Sequence, residues 1–380
     1  MKTPLAWLNL LHDKTRTIVA IAGVAFAVIL VLMQLGFFFS VVATATQTLD
    51  QLKFDLVLLS PRYFFFSKPD RIPRTRLYEA AALPEIARVD PFYLGFNMWL
   101  KEDPDPAKRL RRGLLVLAFN PDDDIFKLPE ISSRRRDLIA PRTVLTDRRS
   151  RPEFGRMGPG TETEVGDVRV KVIGQFTLGA GFGADGLLVT SDQTFYQLIP
   201  AFPANAVSMG LVELRPGANP DAVKAQLQKL LPQDVQVMTR ADLDWYEQVH
   251  WVVKTSVGVI FGLGVIVALL VGMAIVYQVL ASDINNHLPE YATLKAMGYS
   301  PRYLTNVILQ QALILAVAGF LPGLVTSWVL YQITSNVAHV TMYLGPGLAI
   351  SVFILSVLMC SVSGLASLRK VNSADPADLY

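Results

Sequence analysis

IVAIAGVAFAVILVLMQLGFFFSVVA, residues 18–43, contains no Asp, Glu, Lys or Arg. A helix rising 1.5 Å per residue needs roughly 20 apolar residues to cross the hydrocarbon core of a bilayer, and this run is long enough. Ala43-Thr44-Ala45 resembles a signal-peptide cleavage site. A signal core is only about 7–15 residues long, so the run reads as a retained membrane span.

Working outward, the same absence of charge recurs between Lys254 and Asp283 and between Arg302 and Arg369. Three further spans are expected at 254–281, 303–331 and 348–368, joined by a 282–302 loop and a short uncharged hairpin at 332–347. Residues 44–253 hold 27 acidic and 27 basic side chains, against 32 and 35 in the whole 380-residue chain. The expected fold class is a membrane protein: an α-helical four-span transmembrane region, one span plus three, with a large α+β extracytoplasmic domain. About 200 residues are enough to bury a core of their own.

Basic residues flank the spans unevenly. Lys2, Lys14 and Arg16 precede the first, Lys295 and Arg302 lie in the 282–302 loop, and Arg369 and Lys370 follow the last. The positive-inside rule then makes segment 1–17, the loop and tail 369–380 cytoplasmic, with the large domain and the 332–347 hairpin periplasmic. The protein is expected in the inner (plasma) membrane, in contact with its lipids. A net charge of +3 gives no reason to expect nucleic acid. Cys360 is the only cysteine, so no intrachain disulfide forms and no cysteine-based metal site is expected.

No span carries an ionisable group, which argues against an ion-driven transporter. Gly258-xxx-Gly262 and Gly319-xxx-Gly323 place small residues at the spacing that lets helix backbones approach, within one subunit or across a dimer seam. Pro322 is expected to kink its span.

The large domain reads as two βα(β) halves, about 50–112 and 205–250, around a β-rich inserted subdomain at about 113–204. Strands are expected at Phe54–Leu59, Ala87–Trp99, VSMGLVEL (207–214) and VQVMT (235–239), with helices at Thr75–Ala82 and Pro220–Leu231, the latter capped by Asn219. GLLVLAF, VRVKVIGQF and GLLVT supply the strands of the middle.

Several local features invite a functional reading. Gly181-x-Gly183-x-x-Gly186 fits a dinucleotide fingerprint but leads into a strand, LLVTS, rather than a helix, so it reads as a loop. Asp122-Asp123-Asp124 lacks the alternate spacing of calcium ligands. Arg134-Arg135-Arg136 is a solvated surface or a contact for anionic lipid or an acidic partner. Tyr63-Phe64-Phe65-Phe66 is core, or an exposed contact for a partner or lipid chain. The four histidines are scattered, and no catalytic set, cofactor site or metal site is expected.

The 282–302 loop, SDINNHLPEYATLKAMGYSPR, holds a short helix in its pattern. Pro289 suits its first turn and Gly298 its end, while Glu290 and Lys295 complement the helix dipole. Tyr291, Leu294 and Met297 share one face. Such a helix either docks in a partner's groove or caps the bundle. No G-x-x-x-x-G-K-[ST] occurs, so any ATP and Mg²⁺ belong to another polypeptide.

At this point the layout, EYATLKAMGYSPRYL (290–304), GFLPG (319–323), VLTDRRSRPEFG (144–155) and NSADPADL (372–379) carry a resemblance. The chain resembles the FtsX/MacB-type ABC permeases over essentially its whole length, and within them the DevC-like permeases of glycolipid exporters. The resemblance implies a non-catalytic homodimeric permease that transmits motion from a separate DevA-like ATPase. Pro289, Glu290, Tyr291, Leu294, Lys295, Met297 and Gly298 would form the ATPase-coupling helix. Helical extensions at Thr44–Leu52 and Asp242–Lys254 would act as a stalk. Cargo would pass through a DevB-like adaptor into a TolC-like outer-membrane duct. Lipoprotein release, control of a cell-wall hydrolase, and an ATPase-independent membrane-anchored binding protein are the alternative readings.

Overall fold

The structure is a computed structural model that describes residues 14–101, 105, 109–179, 183–286, 293, 297, 300–338 and 342–372. Its contacts divide the chain into two compact units, residues 1–40, 256–338 and 342–380 in one, and 41–255 with 339–341 in the other.

The first unit is helical. Helices α1 (Lys14–Asp50), α7 (Ser256–Asn286), α8 (Pro301–Ala338) and α9 (Pro346–Asn372) are each long and apolar enough to cross a membrane. They pack through Val24, Ala27, Val28, Val31 and Leu32 of α1, Ala268 and Val276 of α7, Ala312, Leu315 and Ala316 of α8, and Val352, Met359 and Cys360 of α9. Small residues set this packing. A Cβ on Gly319 would stand 2.6 Å from Val24 and 3.1 Å from the Ile21 carbonyl oxygen, and one on Gly323 would stand 2.9 Å from Val28 and 3.0 Å from the Ala25 carbonyl. Gly319-xxx-Gly323 is therefore the face on which α8 meets α1 within this chain.

Pro322 lies inside α8, which is assigned as one helix on both sides of it. The 332–347 hairpin expected from sequence is shorter in the structure, because α8 continues to Ala338 and α9 starts at Pro346. Gln332, Thr334, Ser335 and Asn336 are polar but uncharged, and nothing in them ends a helix.

The second unit is built on one sheet of nine strands in the order β11-β1-β10-β3-β4-β8-β5-β7-β6. Its elements run β1 (Leu56–Leu59), β2 (Ile72–Pro73), α2 (Thr75–Ala80), β3 (Ile86–Lys101), β4 (Leu110–Phe119), α3 (Pro129–Ser132), β5 (Thr143–Asp147), β6 (Glu162–Val165), β7 (Val168–Phe176), β8 (Leu187–Ser191), α4 (Asp192–Leu198), β9 (Ala206–Val207), β10 (Met209–Leu214), α5 (Pro220–Leu230), β11 (Gln236–Thr239) and α6 (Arg240–Val249). A π-helical turn, His250–Lys254, follows α6 and ends in extended backbone at Thr255.

Strand β1 shows why the sequence reads FDLVLL without alternation. Leu56 and Leu58 enter one core, Val57 and Leu59 the other, so both faces of the strand are covered. One face lies under α2, α4 and α5, through Leu77, Ala80, Phe195, Leu198, Val223 and Leu227. The other is covered by Leu49 of α1 and Leu52 just after it, by Tyr63 and Phe66, and by Leu243 of α6.

The two expected halves interleave: β1 lies between β10 and β11, and β3 lies on the far side of β10. The expected inserted subdomain at 113–204 differs from what is found. Its strands are not a separate layer but continue the same sheet, because β3 and β4 pair from Phe92↔Phe119 to Lys101↔Leu110. The far edge then returns, β6 pairing with β3 at Trp99↔Val165, so this part of the sheet rolls back on itself. Trp99 is buried in the roll, its indole N–H donating to the Phe154 carbonyl at 3.2 Å.

Candidate functional site

The end of α1 is bonded into the second unit at several points. The apolar span does not stop at residue 43; the helix continues to Asp50 without interruption. Thr44 to Thr48 are small or polar but contain no helix breaker, so the backbone hydrogen bonds simply continue.

Five bonds hold this end. Gln47 donates its side-chain N–H to the Leu178 carbonyl. Lys127 N–H donates to the Gln51 carbonyl at 2.7 Å, and Lys53 N–H to that of Ile125 at 2.8 Å, splicing the chain after α1 onto the 125–127 segment. Arg240 donates through Nη1 to the Leu49 carbonyl at 2.5 Å and pairs through Nη2 with Asp50 at 2.6 Å. Its Nε is 2.9 Å from Asp244, and its guanidinium lies 4.8 Å from the centre of the Phe54 ring.

Arg240 is placed by local sequence. Thr239 and Asp242 form a capping box, which fixes the start of α6 and makes Arg240 its first residue. A cation at the last carbonyls of α1 also complements that helix's dipole.

The loop that receives Gln47 is itself organised by a buried carboxylate. Asp147, 1% exposed, accepts from the N–H groups of Arg149 at 3.0 Å, Leu178 at 3.1 Å and Gly179. Burial raises its pKa, and the three N–H groups act in the opposite direction. Gly179 has φ +93°, which a glycine adopts without strain. The TDRRS segment thus has a physical role: its aspartate shapes the 177–179 loop on which the end of α1 is seated.

The aromatic run divides. Tyr63 and Phe66 are core, Phe65 is half-buried and Phe64 is exposed. The run packs on α6 and the turn after it, with Phe64 4.8 Å and Phe65 5.0 Å from the His250 ring and Tyr63 5.8 Å from that of Tyr246. Tyr63 donates its hydroxyl to Glu247, which is fully buried.

Of the expected coupling helix, Pro289, Glu290, Tyr291, Leu294, Lys295 and Gly298 lie outside the described residues. Met297 is exposed, and its N–H donates to the Thr293 carbonyl at 3.0 Å, one helical turn. Gly258 is buried, whereas a Cβ on Gly262 would meet only Phe38, at 3.9 Å. In the arginine cluster, Arg134 donates to the Ile173 carbonyl at 2.6 Å, Arg135 stands 3.7 Å from Asp124, and Arg136 is exposed. Asp124 pairs with Lys53 at 2.5 Å, which lowers its pKa. Among the described residues no group of His, Cys, Asp and Glu has the arrangement of a metal site.

Sequence reading did not single out Gln47, Asp147, Arg240 or Glu247. The capping box at Thr239–Asp242 was the available signal for Arg240. The other three look like ordinary solvated polar residues.

Two family models match. The MacB-like periplasmic core domain covers residues 17–230, more than half of the chain, and the FtsX-like permease C-terminal model covers 262–376. No curated protein matches. Among solved structures, the periplasmic region of MacB from Actinobacillus actinomycetemcomitans aligns over 48% of this chain and 87% of its own, with 11% identity and a TM-score of 0.34. The extracellular domain of the noncanonic ABC-type transporter YknZ from Gram-positive bacteria aligns over 49% and 99%, with 12% identity and a TM-score of 0.34. A domain of a permease protein from Porphyromonas gingivalis aligns over 50% and 87%, with 17% identity and a TM-score of 0.31. The family models carry the assignment, and the four long apolar helices fit it as an inner-membrane protein. The chain belongs to the FtsX/MacB-type family of permeases.

Proposed function

We propose that this chain is the membrane subunit of a DevC-like ABC exporter and works as a lever rather than as a channel. Two copies pair in the inner membrane with both termini cytoplasmic. A separate DevA-like ATPase binds ATP and Mg²⁺ and docks on the 289–298 helix. Its closure displaces α1, and the extracytoplasmic domain passes the motion to cargo, a glycolipid or another amphiphile. That cargo enters a DevB-like adaptor and a TolC-like duct.

One observation carries this reading. Helix α1 runs unbroken from its apolar span to Asp50, and its end is gripped by Gln47, Arg240 and the 125–127 backbone. A continuous helix bonded at its tip displaces what it touches when its other end moves. The absence of ionisable groups from the spans agrees with a machine whose cargo does not cross between these helices.

The test is docking. Leu294→Asp with Met297→Asp should abolish copurification of the ATPase while leaving the permease folded and membrane-inserted. Undiminished copurification removes the coupling role from this segment.

A further inference from the structure

Glu247 lies on α6 with none of its surface exposed. Its Oε1 accepts from the Tyr63 hydroxyl, while Oε2 has no hydrogen-bond partner among the described residues. One turn on, His250 is 3% exposed and its Nδ1 is likewise unpartnered. Tyr246 donates its hydroxyl to the Tyr63 carbonyl at 3.1 Å, so residues 246 and 247 together hold the start of the aromatic run.

The charges around this carboxyl do not favour an anion. Asp244 is a like charge. Arg240 is committed to Asp244, Asp50 and the Leu49 carbonyl. Lys254 lies 5.4 Å from the centre of the Tyr246 ring and, with burial, disfavours the charged form of His250. From the aromatic run only the Tyr63 hydroxyl and the Phe66 N–H face it. Burial accordingly pushes Glu247 up to about 7, against the pull of Tyr63 and Phe66 and with a small push from Asp244. Burial and the neighbouring Glu247 together raise Tyr63 well above its ordinary value, so the phenol stays a donor.

We propose that Glu247 and Tyr63 form a proton-dependent latch: the neutral carboxyl keeps residues 63–66 seated on α6 and the His250–Lys254 turn, and release of its proton to water loosens that contact. The turn that residues 64 and 65 pack on is π-helical and ends in extended backbone at Thr255, a geometry frequent at functional positions. The latch lies wholly within residues 41–255 and does not depend on the exporter reading.

The proposal makes a specific pH dependence. The open segment exposes a carboxyl with the ordinary value of 4.5. Opening therefore becomes about tenfold easier per pH unit between that value and the closed-state value, and levels off above it. The experiment is amide hydrogen exchange of the full chain in nanodiscs across pH 5–8.5, corrected for intrinsic exchange and read on amides 63–66 and 246–254. In the unmodified chain, opening should rise about tenfold per pH unit and reach a plateau near neutrality. Glu247→Gln should abolish the rise and leave only the opposite, falling dependence of the buried His250 below its ordinary value of 6.5. Tyr63→Phe keeps the carboxyl but removes a donor that favours its anion, so its plateau should begin at higher pH. A flat profile in the unmodified chain, an unchanged profile in Glu247→Gln, or an unshifted plateau in Tyr63→Phe each overturns the latch.

Discussion

Arg240 closes the end of a helix whose last residue lies 190 residues earlier in sequence, donating to the Leu49 carbonyl at 2.5 Å while pairing with Asp50 at 2.6 Å. The first contact is the stronger constraint. Asp50 is 54% exposed, so solvent screens its ion pair to a small value. The carbonyl bond, by contrast, satisfies a helix terminus with a charged donor. Arg240→Met should destabilise the domain by about 1–3 kcal/mol. Arg240→Lys should recover less than half of this, since one ammonium cannot reach Leu49, Asp50 and Asp244 together. Thermal midpoints of the purified full-length chain and its variants check both.

Asp147 offers a harsher substitution. Asp147→Asn replaces one acceptor oxygen by an NH₂ that faces backbone donors, and a buried N–H of Leu178 or Gly179 loses its partner. A cost of about 1–3 kcal/mol is expected. Exchange at Leu178 and Gly179 should accelerate with it. Equal protection of those amides in the variant would show that the loop holds itself.

The glycine contacts separate packing within the chain from packing between copies. Gly319→Ala and Gly323→Ala push a methyl against backbone carbonyls that cannot swing away, and each should cost about 1–3 kcal/mol. Gly262→Ala meets nothing nearer than 3.9 Å in this chain and should leave the monomer's thermal midpoint unchanged. If Gly262→Ala nonetheless weakens self-association in detergent, Gly258-xxx-Gly262 lies on the seam between two copies.

Gln311 is fully buried in α8, and neither its amide nitrogen nor its oxygen has a partner among the described residues. Leucine has a similar reach and needs no partner. Gln311→Leu should raise the thermal midpoint, by the equivalent of about 1–3 kcal/mol. A lowered midpoint would show that the amide is satisfied by something the bundle admits.

Stability should also vary with pH in a direction unusual for a protein rich in carboxylates. Asp124 and Asp242 are lowered mainly by their lysine partners and Glu130 by Arg148, so they stabilise the fold above ordinary carboxylate pKa values and lose that contribution only in acid. Glu247 and Asp90 are raised by burial, to about 7 and about 6, so their folded forms hold extra protons and stability falls as pH rises toward those values. His250 is lowered by burial and acts oppositely below its ordinary value of 6.5. Full ionisation of Glu247 corresponds to a loss on the order of 3 kcal/mol. The thermal midpoint should therefore fall as pH rises toward 7, most clearly above 6.5 where His250 no longer opposes it, level off above 7, and that fall should shrink in Glu247→Gln.

Much of the architecture was legible because it rests on composition and period. The charge gaps located four apolar helices, and VRVKVIGQF reads as the strand Val168–Phe176 because its buried residues alternate. The extension of α1 past residue 43 was expected only from the family resemblance, as a stalk through Thr44–Leu52, and not from hydropathy, since Thr44–Thr48 lose the apolar signal while keeping helical geometry. The return of β6 to β3 at Trp99↔Val165 depends on two residues far apart in sequence, which no local pattern encodes. Glu247 and Asp147 stayed hidden for a related reason: a carboxylate in a helix or after a strand reads as solvated until the tertiary fold buries it.

In the proposed mechanism, α1 carries motion to the 177–179 loop. Its most direct test is hydrogen exchange at Leu178 and Gly179 in the assembled permease–ATPase complex, with and without ATP. The account predicts an ATP-dependent change in protection that disappears when Thr44→Gly, Ala45→Gly and Thr46→Gly soften the helix, with ATPase binding retained. The same ATP-dependent change in the glycine variant, or none in the unmodified complex, would contradict it.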